Sequence, residues 1–139
     1  MSMKVLIVDP DWYFLRQARD FLEPRGHITL HEPDPEQGCL RAERWKPDVA
    51  ILSAELASCC DGDLLARFHG LRPRPAILLT ANLDQFGKAW RAWQRGGDEM
   101  LFKPLMHRSE LHVAIFAALE NTVCPRRRAA PRGAAAISA

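Results

Sequence analysis

Short apolar runs and segments of helical periodicity alternate strictly along this chain, and this alternation limits the folds that it can adopt. The apolar runs are five or six residues long and rich in Val, Ile and Leu, which is too short for a helix and typical of buried strands. The predicted strands are residues 4–8, 27–31, 48–53, 75–80 and 98–102. Strands that alternate with helices indicate βαβ units and therefore a parallel sheet.

Between the apolar runs, hydrophobic residues recur at spacings of three and four, which predicts one helix after each strand. Asp11 is placed to cap the first helix, and Pro24 and Gly26 are placed to end it. The other predicted helices are residues 35–45, a segment that begins at Asp61 or Asp63 after a loop through Cys60, residues 84–95, and residues 109–122 with Ser109 as N-cap. This pattern predicts an α/β fold, a doubly wound five-stranded parallel sheet of the flavodoxin-like type, order 2-1-3-4-5, with helices on both faces.

The composition fits one globular domain, since the 139 residues are 47% hydrophobic and 26% charged. No apolar run approaches the roughly 18 residues that a membrane span needs. Asp9 and Asp11 interrupt the N-terminal apolar run too early for a secretory signal. We therefore expect a cytoplasmic protein that does not associate with membranes.

The net charge of +2 comes from the C-terminal segment, because residues 123–139 contain four Arg and no acid. Residues 1–122 carry 15 basic and 17 acidic side chains, so nucleic acid is not an expected partner of the folded body. We predict a domain over residues 3–122 and a flexible basic tail over residues 123–139. The four cysteines lack metal-ligand spacing and are expected to be reduced, with a Cys59–Cys60 disulfide as the less favoured alternative.

Four polar side chains fall where predicted strands end. Asp9 follows the first strand, Ser53 ends the third, Thr80 ends the fourth, and Lys103 follows the fifth directly before Pro104. Because the carboxyl ends of parallel strands meet at one edge of a sheet, we expect these side chains to converge on one cleft.

The stretches KVLIVDPD, PDVAILS, DGDLL, PAILLTA and GGDEMLFKPL, in this order, resemble the receiver domain of two-component response regulators. The resemblance covers about residues 3–122. It implies that acidic residues after the first strand help to bind Mg²⁺ and that an Asp ending the third strand accepts phosphate from a histidine kinase. It further implies that a hydroxyl residue and a Lys hold the phosphoryl oxygens. Asp9, Thr80 and Lys103 match these positions.

Two positions depart from the receiver pattern. Pro10 stands in place of the second acidic residue, and Ser53 stands in place of the phosphoacceptor Asp. A Ser hydroxyl is a weak nucleophile without a base, and Pro offers Mg²⁺ no side-chain ligand. We therefore expect no phosphorylation at an Asp, Mg²⁺ binding that is weak or absent with Asp9 as the one ligand if any, and no enzymatic activity. Lys103 is then expected to form a salt bridge with Asp9 as a remnant of the phosphate site.

The resulting hypothesis is an atypical receiver that acts in two-component signalling by contact with a protein such as a histidine kinase or an output protein. The expected contact face includes Trp90, Trp93 and Met100, the last at the position of the family's switching aromatic residue, and a homodimer through this face is a further possibility. The alternative for the two Trp is packing inside the protein. Alternative functions are a phosphorylation-competent receiver with another acceptor, such as Glu55, and a flavodoxin-like binder of a small ligand.

Overall fold

A computed structural model describes residues 2–57 and 63–123. The strands are β1 (Lys4–Val8), β2 (Ile28–His31), β3 (Val49–Ser53), β4 (Ala76–Asn82) and β5 (Glu99–Lys103). The helices are α1 (Trp12–Leu22), α2 (Pro35–Trp45), α3 (Ala54–Ala57), α4 (Asp63–His69), α5 (Phe86–Gly96) and α6 (Ser109–Val123). The predictions for the basic tail beyond Val123, for Cys59, Cys60 and Cys124, and for Asp61 lie outside the described residues. No helix in the described part of the chain is long and apolar enough to cross a membrane.

The five strands form one sheet in the order β2-β1-β3-β4-β5, and every neighbouring pair is parallel. The predicted fold class and strand order are therefore confirmed. The order reverses between β1 and β3, which places a crevice at the carboxyl ends of these strands.

Two apolar layers cover the sheet. On one face, α1 and α6 pack against side chains such as Ile7 and Ile51, and on the other face α2 to α5 pack against side chains such as Leu6 and Leu52. Alternate residues of each central strand thus enter opposite layers, because successive side chains of a strand point to opposite faces. This is why the central strands are apolar throughout.

Local chemistry fixes where the first helices begin. The Asp11 carboxylate accepts hydrogen bonds from the backbone N–H groups of Tyr13 and Phe14, and Asp34 accepts one from Gln37. Both are N-caps in extended conformation, as the sequence predicts for Asp11. Gly26 ends the turn after α1 with φ of 90°, a conformation that favours glycine.

Several predicted boundaries are wrong by a few residues. The expected loop after β3 contains α3, β4 continues two residues beyond Thr80, and Lys103 is the last residue of β5. Residues 83–85 form a 3₁₀ turn before α5. Ser109 is the first residue of α6 rather than its N-cap. The Glu110 side chain in the first turn accepts a hydrogen bond from the backbone N–H of Met106, which precedes the helix. Sequence pattern sets element type better than it sets element ends, because caps depend on nearby tertiary contacts.

Two of the three residues in the expected contact face, Trp93 and Met100, are buried. Trp93 is 8% exposed and Met100 is 2% exposed, and both belong to the apolar layer formed by α2 to α5. Trp90 is half-buried and packs against the edge of that layer. The inward packing held open as the alternative therefore applies to Trp93, because its side of α5 faces β4 and β5.

The Gly96-Gly97-Asp98 stretch has a structural explanation. Gly96 adopts φ of 140°, and a Cβ at this position would overlap the His69 imidazole, which hydrogen-bonds to the Gly96 carbonyl at 2.8 Å. A Cβ at Gly97 would lie 2.5 Å from Leu79 Cδ1. Only glycine fits the first of these positions, and the stretch brings α5 tightly back to the sheet.

Candidate functional site

The fold places the predicted site residues at one edge of the sheet. Asp9 follows β1, Ser53 ends β3 in register with Thr80 of β4, and Lys103 ends β5. All four are buried, with exposed fractions from 0% for Thr80 to 8% for Lys103. The topology thus produces the convergence that the sequence predicts.

Asp9 is the centre of the hydrogen bonding at this edge. Its Oδ2 accepts hydrogen bonds from Thr80 Oγ1 at 2.9 Å and from Lys103 Nζ at 3.0 Å. Its Oδ1 accepts one from the backbone N–H of Asp11 at 2.9 Å. Both carboxylate oxygens therefore have donors, and the predicted salt bridge between Lys103 and Asp9 is present. A charge this deeply buried is retained because it is paired and hydrogen-bonded.

Asp11 also belongs to this site, although the sequence indicates only its capping role. Asp11 Oδ2 accepts a second hydrogen bond from Lys103 Nζ at 3.1 Å, while Oδ1 caps α1. Burial would raise the pKa of Asp11, but hydrogen bonds from the Phe14 N–H, the Lys103 ammonium and the Tyr13 N–H outweigh it and lower the pKa. The feature of the sequence that could have indicated this role is the spacing Asp9-x-Asp11, because it places a second carboxylate close to the end of β1.

Aromatic and imidazole side chains contact this edge of the sheet. The Lys103 ammonium lies 5.2 Å from the centre of the Phe14 ring, a cation–π contact on the side of α1. His31 Nε2 donates to the Asp9 carbonyl at 2.8 Å, and the exposed Trp12 ring meets His31 edge-on. These contacts hold the β1 end and the α1 start in one position.

The residues at this edge do not fit Mg²⁺ well. Pro10 offers no side-chain oxygen, Ser53 offers a neutral hydroxyl, and every carboxylate oxygen of Asp9 and Asp11 already accepts a hydrogen bond from a protein donor. Mg²⁺ requires near-octahedral oxygen ligands and dehydrates reluctantly. Among the described residues, no group of three or more His, Cys, Asp and Glu is arranged to hold a metal ion.

Three further predicted residues lie on helices rather than at the strand ends. Glu55 is exposed on α3, two residues beyond Ser53. Trp93 lies in the apolar layer under α5, and its neighbour Trp90 lies at the border of that layer. The structure therefore separates the charged site from the apolar residues that were expected to form a contact face.

Comparisons with known proteins find a transcriptional regulatory protein and protein-glutamate methylesterases among the relatives. No protein-family model matches the chain. The alkaline phosphatase synthesis transcriptional regulatory protein PhoP of Bacillus subtilis is 25% identical over 123 residues, which cover 88% of this chain and 50% of that protein. The protein-glutamate methylesterase/protein-glutamine glutaminase of Chromohalobacter salexigens is 28% identical and covers 96% of this chain, but only 39% of that enzyme is matched.

The solved structures decide the fold family. The CheY-like response regulator receiver domain protein of Methanospirillum hungatei superposes with a TM-score of 0.69 and 22% identity, covering 91% of this chain and 100% of that one. This chain has the fold of a response-regulator receiver domain. This chain spans half or less of the length of these curated relatives, between 29% and 50%. The receiver fold explains why Asp9, Ser53, Thr80 and Lys103 share one edge.

Proposed function

We propose that this chain is an atypical receiver module of two-component signalling that acts by protein contact and without phosphorylation of an Asp. The observation that supports this most is the closed network at the edge of the sheet, in which Lys103 and Thr80 both donate to Asp9. Two groups that the resemblance assigns to phosphoryl oxygens are thus already satisfied by a carboxylate of the protein itself.

The chemistry of position 53 points the same way. Ser53 pairs in register with Thr80 and is 6% exposed, so its hydroxyl occupies the place that the resemblance gives to the phosphoacceptor. A neutral hydroxyl lacks the anionic nucleophile that forms an acyl phosphate, and no His among the predicted site residues is placed as a base. The poor fit of Asp9 and Asp11 to Mg²⁺ removes the second requirement of the phosphotransfer reaction.

Intact-mass spectrometry with acetyl phosphate and Mg²⁺ tests the proposal. We expect no phosphoryl adduct on the wild-type protein and an adduct on the double variant Pro10→Asp/Ser53→Asp, which restores both missing carboxylates. The single variant Ser53→Asp shows whether the acceptor alone is sufficient, and Pro10→Asp/Ser53→Asn is the matched control without an acceptor.

An adduct on the wild-type protein would overturn the proposal and favour the alternative of a non-standard acceptor. Peptide mapping would then show whether Glu55 or another acid carries the phosphate. A bound chromophore with absorbance near 260 nm that copurifies with the protein, a wavelength at which nucleotides absorb, would instead favour the small-ligand alternative.

A further inference from the structure

A groove runs along the outward flank of α2, beside the edge strand β2. One of its lining residues belongs to β2 and five belong to α2: Leu30, Gln37, Leu40, Arg41, Arg44 and Trp45. The five helical positions have the spacing of one helix face and therefore form a continuous wall. The groove has a volume of about 760 Å³, and small-molecule sites measure roughly 300–1,000 Å³. The size of this α2 groove therefore suits a small molecule.

Apolar side chains line part of the α2 groove. Leu30 is half-buried, and Leu40 is 41% exposed. Trp45 is half-buried, and Lys4 holds it in place: the Lys4 ammonium donates to the Trp45 carbonyl at 2.9 Å and lies 5.8 Å from the centre of the ring. An aromatic ring held in this way presents a pre-ordered surface on which a flat apolar group can pack.

Two Arg residues supply positive charge to the same groove. Arg44 is exposed and forms no salt bridge with a described residue. Arg41 contacts Glu32 through Nε at 3.4 Å, which leaves its two terminal nitrogens without an ion-pair partner in the described part of the chain. The acids of α2, Glu36 and Glu43, lie on the other flank of the helix, where Glu36 pairs with α4. Guanidinium groups bind carboxylates through two donors and stack on aromatic rings.

The apolar side chains and the guanidinium groups line one groove, so a single molecule can contact both. We propose that the α2 groove binds a small anion with a flat apolar body, an aromatic carboxylate. Its ring packs on Trp45 and Leu40 while its carboxylate pairs with Arg44 and Arg41. This inference goes beyond the proposed function and does not rest on it, because the strand-end residues of the charged site do not line the groove.

The short edge strand favours a small molecule over a peptide as the occupant. No described strand pairs with the outer side of β2, so an extended peptide would have to add there as a sixth strand. The strand has only four residues, Ile28–His31, and an added strand would gain few backbone hydrogen bonds from it. A small anion needs none of these bonds, since the side chains of α2 supply its contacts.

A nuclear magnetic resonance titration of the isotopically labelled protein with 2-naphthoate tests this inference. The Trp45 indole signal is assigned by its loss in Trp45→Phe. We expect a saturable shift of this signal and smaller shifts of the other three Trp indole signals, since Trp45 lines the groove. The uncharged 2-naphthamide has the same ring system, and we expect its affinity to be about fivefold lower because it cannot form the two exposed ion pairs.

Three variants separate the charge at the groove from charge in general. Arg41→Gln/Arg44→Gln should lower the affinity for 2-naphthoate about fivefold and leave that for 2-naphthamide within about twofold, so that the preference for the anion is lost. Arg16→Gln/Arg108→Gln removes two exposed charges outside α2 and should bind both compounds like the wild type. Leu40→Glu should abolish binding of 2-naphthoate, because it places an acid in the groove at an exposed position. Circular dichroism establishes that each variant is folded.

Three results would overturn the inference: no saturable shift of the Trp45 signal, equal affinity for 2-naphthoate and 2-naphthamide, or equal losses in the two Arg double variants. Decanoate that binds more tightly than 2-naphthoate would assign the groove to an acyl chain instead. A dimer in analytical ultracentrifugation that Leu40→Glu dissociates would assign it to a second copy of the chain. The mass experiment of the preceding section reads the strand ends and not α2. A phosphoryl adduct there would overturn the proposed function and leave this titration unchanged, and the reverse holds for a failed titration.

Discussion

Asp9 is the residue on which the buried charges of this protein depend. The Lys103 ammonium is buried, and its partners are Asp9 at 1% exposure and the half-exposed Asp11. Removal of one member of a buried ion pair leaves an uncompensated charge, which destabilises more than the intact pair stabilises. Asp9 therefore has a structural role in this chain whatever its signalling role.

Asp9→Asn should lower the free energy of unfolding by about 2–4 kcal/mol, because Lys103 then keeps only Asp11 as an anionic partner. Urea denaturation followed by circular dichroism measures the change. The double variant Asp9→Asn/Lys103→Met should lose less than Asp9→Asn alone, since it leaves no unpaired charge. Asp84→Asn, at an exposed acid, is the matched control, and an Asp9→Asn midpoint equal to the control would contradict this account.

We expect His112 to make the free energy of unfolding depend on pH. Its Nε2 is buried and has no hydrogen-bond partner among the described residues, and its ring contacts the rings of Phe21, His27 and Phe116. Burial lowers the pKa of His112 below its ordinary value of 6.5, and the neighbouring His27 and Arg25 lower it further. The folded protein therefore binds this proton less readily than the unfolded chain does.

The sign of the effect follows from this difference. The contribution of His112 is fully present above the ordinary value of 6.5 and is lost as the pH falls below it, because the unfolded chain then takes up the proton first. Urea midpoints measured between pH 8 and pH 5 should fall on the acid side for the wild type and fall less for His112→Leu. A variant at the exposed His107, His107→Leu, should keep the wild-type slope.

At the scale of the element, the two Trp residues of α5 lie one helical turn apart but have different surroundings. Trp93 is buried with Ala89 and Ala92 against β4 and β5, while Trp90 lies at the border next to Phe86. The spacing of three residues does not show which of the two points inward, because that depends on how the helix is rotated on the sheet.

Trp93→Ala should destabilise the protein by about 3–5 kcal/mol, since it leaves a large cavity in the apolar layer. Trp90→Ala should cost clearly less, about 1–2 kcal/mol, because Trp90 is only partly removed from water. Chemical denaturation of the two variants makes the comparison. Equal losses, or a larger loss for Trp90→Ala, would contradict the rotation of α5 described above.

The start of α1 is coupled to the site through Asp11. Asp11→Asn keeps an N-cap but removes the charge that contacts Lys103, so the two contributions can be separated. The lowered pKa of Asp11 means that its stabilisation is present above the ordinary value of 3.8 and is lost as the pH falls through the folded pKa. Unfolding midpoints measured from pH 6 downwards should therefore decline less steeply for Asp11→Asn than for the wild type. An identical acid decline would show that the charge of Asp11 is not coupled to folding.

At the scale of the whole molecule, Asp98 connects elements at the end of the sheet opposite to the site. Its carboxylate accepts hydrogen bonds from Arg74 Nη1, from the backbone N–H of Ile77 in β4 and from Thr122 Oγ1 in α6. Its carbonyl accepts one from Asn121 Nδ2. The Asp of the Gly-Gly-Asp stretch thus holds the start of β5 to β4 and to the end of α6.

Asp98→Ala should lower the free energy of unfolding by about 3 kcal/mol or more, because it leaves a buried backbone N–H and a guanidinium without their acceptor. Thermal and urea unfolding measure the loss against Asp84→Ala, an exposed control. A loss no greater than that of the control would contradict the connecting role. In Pro10→Asp/Ser53→Asp the added Asp98→Ala should leave any phosphoryl adduct in place, since the two ends of the sheet are separate.

Much of the fold could be predicted because it depends on short-range pattern. Apolar runs of five or six residues cannot form helices that cover a core, and their alternation with amphipathic segments permits few topologies. The edge that carries Asp9, Ser53, Thr80 and Lys103 follows from the topology alone, because parallel strands end together. The short helix α3 and the exact ends of β4 and α6 could not be predicted, since they depend on packing against neighbouring elements.

What the sequence by itself determined is the order of the elements and the identity of the residues at the strand ends, including the replacement of two carboxylates by Pro10 and Ser53. What the tertiary structure alone decided is how those side chains are used: that Asp11 turns back to share Lys103 with Asp9, and that Trp93 and Met100 lie inside. The physical reason is that periodicity fixes which residues share a face. Burial and ion pairing depend on the rotation and approach of elements that are distant in the chain.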